Sequence, residues 1–152
     1  MKPTWRLVSL ISLVLPASAL AQAPVAAPLA SQETNMAGVT AEVTEFKRRG
    51  NTLTAKVRLS NAGTESVSLD MPYSKAYVLD ATGGKKYEVL RDDQKNYIAL
   101  LGPSYDDRYW DTLKAGQKIT IWMKFPAPPA EVKTVTLQLD DMAPFDELAI
   151  QD

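Results

Sequence analysis

The sequence predicts an all-β domain whose antiparallel strands each bury one face. Three observations carry this. Apolar residues recur with a period of two through most of the chain after Gly38. Turn residues punctuate these runs at short intervals. No window of about 11 residues keeps the 3.6-residue period of an amphipathic helix.

The alternation is explicit in four runs. Val39, Ala41 and Val43 alternate with Thr40, Glu42 and Thr44. Leu53, Ala55, Val57 and Leu59 alternate with Thr54, Lys56, Arg58 and Ser60. Ile119, Ile121, Met123 and Phe125 alternate with Thr120, Trp122 and Lys124, and Val135, Leu137 and Leu139 with Thr136 and Gln138. Each run reads as a half-buried strand, which antiparallel sheets accommodate. Arg49-Gly50-Asn51 predicts a hairpin between the first two runs. Ala81-Thr82-Gly83-Gly84 predicts another, between Ala76–Asp80 and Lys86–Leu90. Lys114-Ala115-Gly116 precedes the Ile119 strand, and Pro126-Ala127-Pro128-Pro129 ends it, because proline donates nothing to a ladder. One helical turn is expected within residues 92–101.

About seven to nine short strands with regular turns predict an immunoglobulin-like antiparallel β-sandwich. A small closed barrel is the alternative. The Cys-Trp-Cys hallmark of antibody domains is absent, since the 152 residues contain no Cys.

Residues 1–21 have the three parts of an export signal. Lys2 and Arg6 give a positive start, and Leu7–Leu15 an apolar stretch too short to span a bilayer. Pro16 and then Ala19-Leu20-Ala21 complete it, with cleavage expected after Ala21 or Ala23. The expected location is the periplasm or outside the cell, with no membrane span after cleavage. Removing residues 1–21 leaves 15 basic and 18 acidic side chains, a charge of about −3. Residues 22–37, rich in Ala and Pro and then polar, are expected to form a disordered tether. Residues 38–152 are expected to form the sandwich.

Composition excludes several functions. Without Cys there is no disulfide, lipid anchor, thiolate zinc site or thiol nucleophile. Without His there is no Ser-His-Asp triad and no imidazole ligand or base. The near-neutral balance of 17 basic and 18 acidic residues argues against nucleic-acid binding. Met71, Met123 and Met142 lack the clustering of a copper site, and Met123 falls on the apolar face of its strand. No cofactor motif is present. Paired carboxylates recur, yet none is marked out for glycoside hydrolysis, and no enzymatic activity is expected. Lys85-Lys86 with Lys75 reads as a solvated basic hairpin.

Segment 103–111, PSYDDRYWD, concentrates the candidate site residues. Tyr105, Arg108, Tyr109 and Trp110 have the composition of a protein-contact hot spot, with Trp122 as a further aromatic. The alternative is a loop whose aromatics fold back over the sandwich end. Asp106, Asp107 and Asp111 are the candidate metal ligands, with calcium the fitting ion, although their spacing departs from the calcium-loop pattern. Solvated turn carboxylates are the simpler reading.

Further motifs carry a resemblance. Lys86-Tyr87-Glu88-Val89-Leu90-Arg91-Asp92 follows a Gly-Gly hairpin. Leu113-Lys114-Ala115-Gly116-Gln117 leads into Ile121-Trp122-Met123-Lys124-Phe125-Pro126-Ala127-Pro128-Pro129, and Met142-Ala143-Pro144-Phe145-Asp146-Glu147 closes the chain. Over residues 38–150 this resembles a group of uncharacterised exported bacterial Ig-like domains. Some stand alone behind a signal peptide, and others precede an OmpA-type peptidoglycan-binding domain. The resemblance implies an Ig-like sandwich acting in the cell envelope. It brings no catalytic residue, and no OmpA-type segment lies within residues 1–152. The expected function is therefore a non-enzymatic envelope binding or assembly module with a protein partner. The alternative is a calcium-binding accessory domain.

Overall fold

A computed structural model describes residues 26–100, 107–140 and 142–152. The expected signal segment, Tyr105 and Asp106 lie outside the described residues. Among those described there are ten strands and no α-helix. They are β1 (Ala30–Glu33), β2 (Val39–Arg49), β3 (Thr52–Asn61), β4 (Val67–Pro72), β5 (Tyr77–Asp80), β6 (Lys85–Glu88), β7 (Arg108–Leu113), β8 (Lys118–Pro126), β9 (Thr134–Gln138) and β10 (Phe145–Ala149). A single 3₁₀ turn, Tyr73–Lys75, follows β4.

The strands form two four-stranded sheets, β1-β2-β3-β8 and β10-β9-β5-β6, plus a two-stranded ribbon, β4-β7. All ladders between them are antiparallel. Apolar faces of both four-stranded sheets share one core. Val43, Phe46, Val57, Ile121 and Phe125 supply one side, and Val78, Leu137, Phe145 and Leu148 the other. This is an all-β antiparallel sandwich, as the period-two pattern predicted. With β2, β3 and β8 read as strands A, B and E, and β10, β9, β5 and β6 as G, F, C and C′, the adjacency is that of an immunoglobulin domain. The β4-β7 ribbon departs from that plan, branching off between β3 and β5 and again between β6 and β8.

A bulge decides how β2 is buried. Its register with β3 shifts between Val43 and Glu45. The extra residue, Thr44, moves the inward positions from odd to even numbers, so Phe46 joins the core after Val39, Ala41 and Val43. Both expected hairpins form. In the second, Gly84 takes φ +64°, which only a residue without Cβ adopts cheaply.

Three expectations are corrected. Residues 30–33, expected within a disordered tether, form β1 and pair with Val43–Thr40 along the outer edge of β2. The physical cause is that edge. It presents unpaired backbone groups, which a short polar strand satisfies without a core of its own. The rest of the same edge is covered by the C-terminus, where Arg48 N–H donates to the Gln151 carbonyl at 2.7 Å. The helical turn expected in 92–101 is likewise absent from residues 92–100. Bridges Arg91↔Tyr97 and Ala99↔Met123 hold this segment instead, and it covers the outer edge of β8. Finally, the expected loop 103–111 contains most of β7.

Candidate functional site

Strand β7 positions the candidate residues by alternation. It pairs with β4 in the register Pro72↔Arg108, Met71↔Tyr109, Asp70↔Trp110 and Leu69↔Asp111. Leu69, Met71, Tyr109 and Leu113 turn inward and join the core. Arg108, Trp110 and Thr112 turn outward, beside Ser68, Asp70 and Pro72 of β4. The ribbon thus has one buried face and one exposed face.

Trp110 is 40% exposed, and Leu29 is the other exposed large hydrophobic among the described residues. Two residues away on the same face, the Arg108 guanidinium reaches Asp70 at 3.3 Å and Asp107 at 3.2 Å. The Arg108 hydrogen bond holds the Asp107 carboxyl below the usual carboxylate range. Asp107, followed by Asp70, raises the Arg108 pKa in turn. Guanidinium, carboxylates and indole form one outward patch.

Tyr109 was expected at the contact surface and is only 3% exposed. Strand alternation is the reason, since it lies between two outward residues. Its hydroxyl donates to Asp111 Oδ2 at 2.9 Å. Burial first, and the Asp111 hydrogen bond second, push its phenol well above the ordinary value. Trp122 is half-buried on β8, opposite Lys56 of β3. It belongs to the outer face of the β1-β2-β3-β8 sheet, among the ion pairs Lys56–Glu45 and Arg58–Glu42. β7 and β8 lie in different sheets, so Trp122 and Trp110 do not share a strand pair.

The candidate metal ligands are also separated. Asp107 is engaged by Arg108, while Asp111 accepts from the Tyr109 hydroxyl and from Thr112 N–H at 2.7 Å. Four residues of extended chain set them roughly 13 Å apart along the strand direction. Among the described residues no three acidic side chains converge as a metal site. Of the lysines singled out in the sequence, Lys75 pairs with Asp140 at 3.0 Å and Lys86 with Glu88 at 3.1 Å.

Asp70 was missed as part of the patch. The run Val67-Ser68-Leu69-Asp70-Met71 carries the signal, an alternation cut short by Pro72.

No known protein family matches the chain, and no curated protein does. Two solved structures are similar. The yjhA protein from Bacillus subtilis is 16% identical, with a TM-score of 0.48 over 74% of this chain and 78% of that one. A functionally unknown protein from Listeria monocytogenes EGD-e is 9% identical, with a TM-score of 0.42 over 73% of this chain and 69% of that one.

Proposed function

We propose that this chain is a non-enzymatic, exported binding module of the cell envelope, and that it contacts a protein partner through the outward face of the β4-β7 ribbon. Trp110 carries the reading. An indole 40% exposed on a strand whose alternate residues are core offers a large rigid surface at little entropic cost. Asp70 and Arg108 flank it with a charge pair already held in place, the polar surround that contact hot spots use. Export is supported by the order of Lys2, Arg6, Leu7–Leu15, Ala19 and Ala21. The Ig-like resemblance of residues 38–150 supports the envelope as the place of action.

The test is photo-crosslinking in the native host. A photoreactive residue replaces Trp110, and Lys56 on the outer face of β3 serves as the control. One protein trapped at position 110 and none at 56 is the expected result. Trapping of nothing at 110, or of the same mixture at both positions, overturns the reading. The mass of the mature chain checks export in the same experiment, with an N-terminus at Gln22 or Pro24 expected.

A further inference from the structure

A second feature lies at the other four-stranded sheet, at the β5-β6 hairpin. A cavity of about 630 Å³ opens there, between the hairpin and the segment leading into β9. Asp80, Lys85, Tyr87, Glu131, Val132 and Lys133 are among its lining residues.

Two buried residues with polar side chains, Asp80 and Tyr87, belong to its wall. Asp80 is only 5% exposed. Its Oδ1 accepts the backbone N–H groups of Thr82 at 3.0 Å and Gly83 at 2.9 Å. Among the described residues, no cation forms an ion pair with Asp80 or with Glu131. Tyr87 is 4% exposed, and its buried hydroxyl has no hydrogen-bond partner. Buried polar groups are normally satisfied, so an orphan at a cavity wall calls for a missing partner. The hydroxyl feels both carboxylates. Burial first, and then the charges of Asp80 and Glu131, raise the Tyr87 pKa.

The cations present are occupied elsewhere. Lys133 reaches Asp152 at 3.4 Å. Lys85 sits directly across the ladder from Asp80, yet its ammonium lies over the Tyr87 ring, 5.0 Å from the centroid. An ammonium on an aromatic face is an arrangement that cation-binding sites use, and here the protein's own lysine takes that place.

We propose that this cavity binds the ammonium group of a small primary amine. Asp80 and Glu131 provide its counter-charge, the Tyr87 ring and hydroxyl provide a face and an acceptor, and Lys85 is the resident competitor. A primary ammonium has three donors, enough for both carboxylates and, once the side chains covering it move aside, for the phenol oxygen, which is buried in the ligand-free chain. Lys85 is exposed and turns away by rotamer changes alone, opening the ring face. This site is independent of Trp110.

The experiment titrates n-butylammonium chloride into the mature chain at constant ionic strength, followed by amide NMR shifts of Thr82, Gly83 and Glu131. Parallel arms use 1-butanol and calcium chloride. Saturable shifts with the ammonium and none with 1-butanol are expected. Lys85→Met removes the competitor and is expected to tighten binding about five-fold. Glu131→Gln is expected to weaken it by a similar factor. Both positions are exposed, so neither variant threatens folding. Equal shifts with 1-butanol, saturation by calcium in place of the amine, or no tightening in Lys85→Met overturns the proposal.

Discussion

Asn61, the last residue of β3, donates its side-chain amide to the carbonyl of Leu113, the last residue of β7, at 3.0 Å. The same amide donates to Glu65 at 2.8 Å, and its Oδ1 accepts from Gly63 N–H at 2.9 Å. Among the described residues, Asn61 and Asp80 are the buried ones with amide or carboxylate side chains. One side chain therefore ties the ribbon that carries Trp110 to the four-stranded sheet. Asn61→Ala leaves buried backbone groups unmatched and is expected to cost about 2–4 kcal/mol. A urea melt reads the loss, and hydrogen exchange should show β4 and β7 opening before β2 and β3. Uniform loss of protection would count against the tie.

Trp110 and Tyr109 are neighbours with opposite burdens. Trp110→Ala removes an exposed ring, and its cost is expected within about 1 kcal/mol. Tyr109→Ala empties a core position and should cost about 3–5 kcal/mol. Equal losses in urea melts would mean that Trp110 is held by packing, which would weaken the contact reading.

Tyrosine burial sets an alkaline limit. Burial raises the phenols of Tyr73 and Tyr109 above 10.0, the value they approach when unfolded. Above pH 10 the unfolded chain releases protons that the folded chain keeps, so unfolding gains. The stabilisation is complete below pH 10 and declines as pH rises beyond it, by about 1.4 kcal/mol per tyrosine per pH unit at most. Urea midpoints at pH 9 and pH 11 measure this. Tyr73→Phe should flatten the decline, while losing a modest amount at neutral pH because its hydroxyl donates to the Leu100 carbonyl.

Tyr87→Phe behaves differently from Tyr73→Phe. The Tyr87 hydroxyl has no partner to lose, so the ligand-free chain should keep its stability within about 0.5 kcal/mol or gain slightly. A loss above about 1 kcal/mol in a thermal melt would show that the hydroxyl is already satisfied, and the amine site would lose its main support.

Gly38 is closed to a side chain on two counts. It sits at φ +75°, and a Cβ there would lie 2.9 Å from the Cα and N of Gly63. Gly38→Ala combines a left-handed backbone with a contact to main chain, so a cost above about 2 kcal/mol is expected in a urea melt.

The long strands were legible because their alternation is a local property. Val39 to Val43, Leu53 to Leu59 and Ile121 to Phe125 each repeat apolar and polar residues often enough to declare a face. Short elements carry too few repeats for that. β4 offers Leu69 and Met71 before Pro72 ends it, and β1 offers only half-buried Ala30 and Gln32. β1 exists because the edge of β2 needs backbone partners, and β4 because β7 supplies them, so both depend on residues distant in the chain.

The amino-acid order by itself determined the all-β class, the two Gly hairpins, the absence of thiol and imidazole chemistry, and the aromatic content of 103–111. Tertiary structure decided which of those aromatics face solvent. A strand period of two turns Tyr109 inward and Trp110 outward only once the register Met71↔Tyr109 and Asp70↔Trp110 is set. It also brought Glu131 to Asp80 and Tyr87, since a cavity between a hairpin and a distant segment arises from the packing of sheets and not from any local pattern.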